Sequence, residues 1–316
     1  MHGQTFPALK AGFETTGSTR WVMQTINEYQ LDLKNGFELN LILHDQQGDA
    51  RRTSPETALQ AGEIDFIDTD WLSIGRARAA GIPFTAAYPY GRIMGGLLAC
   101  ESSGINSPGD LEGHRIGLLR ETDKNWKVLR AWVKQNHGFD PAETCETVVV
   151  PSKIELESQL KDQRFEAALI FWHRIPEILN TPWIHQVCDI VDLVESLIDA
   201  SPATTFFVFR DEFVNRHSHV IVGFCQAYRE AIQILVSCPE SWYEIVGLPS
   251  SKTLDQVYTL WQRRMVTSWS SADFDNLVRL HQVVAQIDNQ AVPALDKEWF
   301  SCMRAGRKLI APAMEV

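Results

Sequence analysis

Residues 58–81, ALQAGEIDFIDTDWLSIGRARAAG, constrain the fold more tightly than any other stretch of this chain. Ala58, Leu59, Gln60 and Ala61 favour helix, and Gly62 supplies the left-handed stop that ends one. Ile64, Phe66 and Ile67 form a short apolar run of the kind buried in a parallel sheet. Asp68, Thr69 and Asp70 break that run, and an Asp here can cap the helix expected over 71–80. In an open α/β sheet, ligands sit at the carboxyl ends of strands, where such turns lie. Asp68, Thr69, Asp70 and Trp71 are therefore placed at a candidate cleft.

The same order of strand, polar turn and helix occurs on both sides of this stretch. Residues 8–13 read as a strand, 14–19 as a turn and 21–29 as a helix with apolar residues on roughly one side. A second strand spans 37–43, where Phe37, Leu39, Leu41 and Leu43 alternate, and a polar turn follows over 44–49. Ser54 then Pro55 announces the next helix, a cap followed by proline at the first position. Repetition of this unit argues for parallel strands with crossover helices. A further strand-like run covers 83–90, and 93–100 is a glycine-containing apolar segment. A second series then runs through strands 114–119, 146–150 and 167–171, with helices over 126–135 and 154–160 and turns at 120–125, 151–153 and 172–174. One more strand spans 204–209, and from Arg210 onward the pattern is helical. In that tail Trp242, Trp261 and Trp269 read as core residues.

The chain has 316 residues, enough for about two domains, and a net charge of −11 that argues against a nucleic-acid partner, which would require a basic face. No apolar run approaches the ~20 residues of a membrane span. The opening residues MHGQTFPALKAGF lack the basic and apolar regions of an export signal. The six cysteines form no CxxC pair and read as scattered core thiols. His44, His173, Asp45 and Asp68 show no close metal-ligand spacing, so neither a metal nor a cofactor is expected.

Several pieces, in their order and spacing, carry a family resemblance: ALQAGEIDF, RARAAGIPF, SSGINSPGDLEGHRIGLL, SKIELESQLKDQRFEAALIFWHRIPEIL and VFRDEFVNRHSHVIVGFCQAYREAI. The chain resembles the solute-binding proteins of bacterial importers for nitrate, sulfonates, taurine and thiamine-precursor pyrimidines, which are type II periplasmic binding proteins. The resemblance implies an α/β fold of two lobes, each a mainly parallel sheet flanked by helices, joined by two hinge strands. The first lobe would be residues 1–92 plus 205–316 and the second 93–204. It also implies a monomer outside the cytoplasm, its export signal not contained in these residues, that hands a small molecule to an ABC permease. A cytoplasmic protein is the other reading of the N-terminus. By position, Thr15, Thr16, Gln46, Gln47, Asp68, Thr69, Asp70 and Trp71 would line the first-lobe side of the cleft. Thr122, Lys124, Trp126, Trp172, His173 and Arg174 would line the second, with Tyr88 and Tyr90 near the hinge. The turn RETDKNW departs from the small Gly/Ser-type turn common in that family and suits a simple nitrate or sulfate poorly.

The aromatics Trp71, Trp126, Trp172, Tyr88 and Tyr90 fall at or just beyond strand ends. Singly, each is as well explained by core burial. Together they suit a flat, partly aromatic ligand, since pockets are lined mostly by apolar and aromatic groups. Acidic residues such as Asp68 and Asp70 collect on first-lobe turns, while Arg92, Arg120, Lys124, Lys153 and Arg174 lie at the hinge or on second-lobe turns. They read either as solvated turns with salt bridges between lobes, or as a match for a ligand with an anionic end and a hydrogen-bond-donating end. Ligand candidates are a pyrimidine vitamin precursor, a quinone or flavin-like cofactor such as pyrroloquinoline quinone, or an aromatic sulfonate or carboxylate. Enzymes on this fold, desulfinases, a decarboxylase and pyrimidine synthases, form the rival reading. They need a cleft cysteine or histidine cluster, and only His44 and His173 fall on cleft turns here. No catalytic residue is assigned.

Overall fold

The computed structural model describes residues 6–44, 54–93, 95–247, 251–266, 268–287 and 293–300. The first part of the chain builds β1 (Ala8–Glu14), α1 (Thr19–Glu28), α2 (Leu31–Lys34), β2 (Glu38–His44), α3 (Pro55–Ala61), β3 (Phe66–Asp70), α4 (Trp71–Ala79) and β4 (Phe84–Arg92). The local chemistry follows the sequence. Ser54 caps α3 through Thr57 N–H, with Pro55 at the first position, and Gly62 closes the helix at φ 75°. The strand expected to end at Ile67 runs on through Asp70, whose carboxylate caps α4.

The middle of the chain forms β5 (Gly95–Cys100), β6 (Arg115–Leu118), α5 (Lys124–His137), α6 (Pro141–Thr144), β7 (Glu146–Val149), α7 (Lys153–Lys161), β8 (Ala167–Phe171), α8 (Ile175–Ile178), β9 (Ile184–Asp189) and α9 (Ile190–Ile198). The chain then returns through β10 (Ala203–Arg210) to α10 (Asp211–Arg216), α11 (Ser218–Ser237), α12 (Pro239–Val246), α13 (Lys252–Arg264) and α14 (Ser271–Ala285).

Two five-stranded sheets result, ordered β2-β1-β3-β10-β4 and β7-β6-β8-β5-β9. Each is mainly parallel, as expected, and mixed through one strand that runs against the other four. Strands joined by crossover helices pair in parallel, β1 with β2 and β3, and β6 with β7 and β8. The strands that carry the chain between lobes run antiparallel to their neighbours, β10 against β3 and β4, and β5 against β8 and β9.

An aromatic core of Phe13, Phe66, Phe207, Phe209, Phe224 and Tyr228 lies on one face of the first sheet, under α1 and α11. A second core is continuous between the lobes. It runs from Ile67, Trp71 and Phe206 of the first sheet and its helix to Trp126, Leu129 and Leu193 of the second, with Phe274, Leu277 and Leu280 of α14 among them. Helix α14, grouped with the first lobe by its place in the chain, thus also packs on α5 and α9. Among the described residues no helix is long and apolar enough to cross a membrane.

Candidate ligand-binding site

The carboxyl ends of β1 and β3 in one sheet and of β6 and β8 in the other face a common cavity of about 150 Å³. The first lobe contributes Phe13 and Glu14 from β1, Thr19 at the start of α1, and Asp68, Thr69 and Asp70 from β3. The second contributes Arg120 and Lys124 after β6, Lys153 at the start of α7, and Phe171, Trp172 and His173 after β8. Several helices begin at this wall, so their positive dipole ends surround the cavity. The N–H groups of α4, α5 and α7 are partly occupied by the caps Asp70, Asp123 and Ser152. Helix α1 has no side-chain cap.

A hydrogen-bond cluster sets the floor. Tyr90 donates to Asp68 Oδ2 at 2.6 Å and Thr19 donates to the same oxygen at 2.8 Å. Burial first, and then the Asp68 charge, push the Tyr90 hydroxyl up to about 12, so it stays a donor. Arg264, at the end of α13, lies 4.9 Å above the Tyr90 ring and 6.0 Å from that of Trp172. Its Nη2 donates to Tyr90 Oη at 3.3 Å and to Thr205 Oγ1 at 3.4 Å. The side chain is buried, and among the described residues no carboxylate pairs with it. Gly91 makes room for it, because a Cβ there would stand 2.8 Å from Arg264 Nη1.

Two contacts tie the lobes together across the cavity. Lys153 Nζ meets Glu14 Oε2 at 2.5 Å and sits 4.7 Å over the Phe171 ring. Trp172, carried by the second sheet, joins the first-lobe core and meets Trp21 edge-on at 6.0 Å. His173 beside it is half-buried, its ring nitrogens enclosed and close to the Thr16 backbone. Burial first, and then the nearby Lys153, Arg174 and Arg264, hold it neutral, well below the usual histidine range.

The residues expected from sequence divide. Asp68, Thr69, Asp70, Tyr90, Lys124, Trp172 and His173 meet at this cavity. Thr15, Thr16 and Arg174 line a neighbouring one, and Thr122 is exposed on the turn before α5. Trp71 and Trp126 reach neither cavity. Each is buried in the interlobe core, because it heads the buried face of its helix: Trp71 with Ile74 and Gly75, Trp126 with Leu129 and Val133. Tyr88 is also in the core, edge-on to Tyr228 at 5.3 Å, and lines neither. Gln46 and Gln47 lie outside the described residues. Sequence reasoning missed Arg264, which occupies a helical tail with no local mark of a site. Among the described residues no group of three or more His, Cys, Asp or Glu could hold a metal. Cys100, Cys145, Cys188, Cys225 and Cys238 are free thiols, and Cys302 lies outside the described residues.

Two mixed α/β lobes with a cleft at their strand ends define the periplasmic-binding-protein fold. The chain belongs to the NMT1/THI5-like family, whose model matches residues 36–241. Solved structures agree in fold. The periplasmic aliphatic sulphonate binding protein SsuA from Escherichia coli is 16% identical, with 89% of this chain and 87% of that chain covered at a TM-score of 0.67. The alkanesulfonate-binding protein SsuA from Xanthomonas axonopodis pv. citri, bound to MOPS, is 13% identical over 94% of this chain and 99% of that chain, at a TM-score of 0.70. The Candida albicans CA3427 gene product, which exhibits the generic periplasmic binding protein fold, is 13% identical over 90% and 92%, at 0.67. No curated protein matches the chain.

Proposed function

We propose that this protein is an extracytoplasmic, monomeric solute-binding protein that closes its lobes on a small organic anion bearing a flat ring and delivers it to the permease of an ABC importer. The observation that carries this reading is Arg264. A buried guanidinium without a carboxylate partner is costly, and an anion in the cavity would offset that cost. Arg120 and Lys124 on the second-lobe side and the uncapped start of α1 on the first add positive potential around the cavity. Phe13, Tyr90 and Trp172 supply aromatic surface for a ring. Among the described residues no hydrogen bond reaches Asp68 Oδ1, which suits a ligand N–H.

Size narrows the candidates. A cavity of about 150 Å³ is of the order that admits one benzene-like ring. That favours a pyrimidine-sized molecule or an aryl carboxylate or sulfonate as the part held here, over a flavin or a pyrroloquinoline quinone. The rival enzyme reading would make His173 the base. Its depressed proton affinity argues against that role, and among the described residues no cysteine lines the cavity.

Native mass spectrometry of the purified protein should reveal a bound organic anion, recovered chemically unchanged after incubation. Calorimetry with Arg264→Gln should show the affinity for it falling about tenfold to a hundredfold, the worth of a hydrogen bond to a charged group. Parent-like affinity in Arg264→Gln would remove the anion-binding reading. Turnover lost in His173→Ala would establish the enzyme instead.

A further inference from the structure

Gly91 of β4 does not line the cavity, yet it stands directly behind the buried cation that does. Its backbone does not have a positive φ, so the strand there does not itself demand glycine. What glycine supplies is space. A Cβ on Gly91 would lie 2.8 Å from Arg264 Nη1, 3.0 Å from Arg264 Cζ and 3.0 Å from Thr205 Oγ1. Carbon atoms meet at about 3.5–4.0 Å, so the guanidinium sits roughly 1 Å deeper against the sheet than a side chain at this position would permit. The backbone holds it there. Met265, next to Arg264, forms an antiparallel bridge with Gly91. Arg92 Nη1 donates to the Met265 carbonyl at 2.6 Å and Arg92 Nε to the Ser201 carbonyl at 3.1 Å. The end of α13 is thus stitched to β4 beside the residue that lacks a side chain. Thr205, opposite Gly91 in β10, donates to the Gly91 carbonyl at 2.8 Å and accepts from Arg264 Nη2 at 3.4 Å. The Tyr90 ring lies 4.9 Å from the guanidinium, and the Trp172 ring of the second lobe lies 6.0 Å from it.

We propose that Gly91 is a positioning residue that sets ligand specificity: it lets the Arg264 guanidinium withdraw against the sheet, which gives the cavity the depth for a ring-sized anion, and a side chain in its place would hand the site to smaller anions. This inference rests on the anion reading of the cavity and adds the residue that sets its selectivity. The selection works by space, not by charge. With α13 stitched to β4, a guanidinium pushed off Gly91 moves toward the cavity and keeps its charge and its donors. A compact carboxylate can follow it. A ring cannot, because Phe13, Tyr90 and Trp172 already bound the same space, and overfilling packed space is costly.

Calorimetry with acetate and benzoate, in the parent and in Gly91→Ala, tests this. Affinity for benzoate should fall about tenfold or more, while that for acetate stays within about threefold. A second arm follows thermal unfolding of Gly91→Ala, of Arg264→Lys and of the two together. Lysine keeps the cation but lacks the planar fork that a Cβ on residue 91 would meet. Gly91→Ala should therefore lower the melting temperature in the parent background and not in the Arg264→Lys background. Equal losses for both anions, or no loss for benzoate, would overturn the proposal and leave the anion reading standing. A fall in melting temperature that persists with Arg264→Lys would also overturn it, since Gly91 would then act through Thr205 or the strand itself. If Gly91→Ala alone does not fold, recovery in the double variant would support the contact with Arg264, and failure of both would overturn it. If the parent binds neither acetate nor benzoate, the anion reading falls and the inference falls with it.

Discussion

Replacing Trp172 by alanine should open the molecule. Trp172 is 4% exposed, yet its burial is supplied from across the cleft. Its backbone follows β8 of the second sheet, while Trp21 at 6.0 Å and the Arg264 guanidinium at 6.0 Å belong to α1 and α13. Truncating a buried Trp costs about 3–5 kcal/mol, which includes about 0.5–1.5 kcal/mol for an edge-on aromatic pair. The contacts with Trp21 and Arg264 exist only when the lobes are together. The cost therefore falls mainly on the closed arrangement and little on either lobe alone. At ~1.4 kcal/mol per decade, a loss of about 3 kcal/mol moves the ratio of closed to open forms about a hundredfold. Small-angle scattering should report a larger radius of gyration for Trp172→Ala than for the parent, and ligand affinity should drop by a comparable factor. The control is Trp261→Ala. Trp261 is buried within the first lobe, stacked on Tyr258 at 5.8 Å, so its loss should lower the melting temperature without opening the cleft. If Trp172→Ala scatters like the parent while Trp261→Ala shows the larger effect on shape, the reasoning that Trp172 fastens the lobes is wrong.

Other consequences can be checked separately. Glu14→Gln leaves Lys153, only 9% exposed at its side chain, without its anion, and should speed ligand release in stopped-flow measurements. An unchanged release rate would show that this pair does not hold the cleft shut. Arg130 and Asp140 form a buried two-point pair at 2.8 and 2.7 Å, so Arg130→Ala should cost about 3–5 kcal/mol in urea unfolding. Burial alone would raise the Asp140 carboxyl, but hydrogen bonds from Arg130 and Ala142 N–H outweigh it and hold it below its ordinary value. The pair's contribution is therefore fully present above about pH 4 and lost as pH falls through the lowered folded value, a loss absent from Arg130→Ala. His173 has the opposite sense, because the folded state resists its protonation and the unfolded state does not. Stability should fall as pH drops below about 6.5, by at most ~1.4 kcal/mol per unit from this group. Melting curves of His173→Gln should show that slope reduced by one proton.

Much of the lining of the candidate cavity was legible because strand ends and caps are written in short-range chemistry. Asp70 caps the helix after β3, and the turn 172–174 delivers Trp172 and His173 to the cavity. Charge sorting by lobe was also readable, although Arg174 turned out to be spent on Glu157 and Glu177. Trp71 and Trp126 show where proximity to a strand end misleads. Each sits at a helix start, but the apolar residue three positions on, Ile74 or Leu129, and Val133 seven on from Trp126, lie on the same core-facing side.

The sequence by itself determined most of the alternation of strands, turns and helices, the boundaries of the longer helices it marked to within a few residues, and the family, but not β9 and α9, which the reading passes over. Those properties depend on periodicity, capping and glycine placement within a few residues of chain. Only the tertiary structure decided that both sheets are mixed, that α14 packs across the lobes, and that Arg264 reaches the cavity beside Tyr90 and Trp172. Arg264 and Tyr90 are 174 positions apart, and no local pattern encodes a contact of that separation. It arises from the burial of α13 against the first lobe and from the room that Gly91 leaves for a guanidinium.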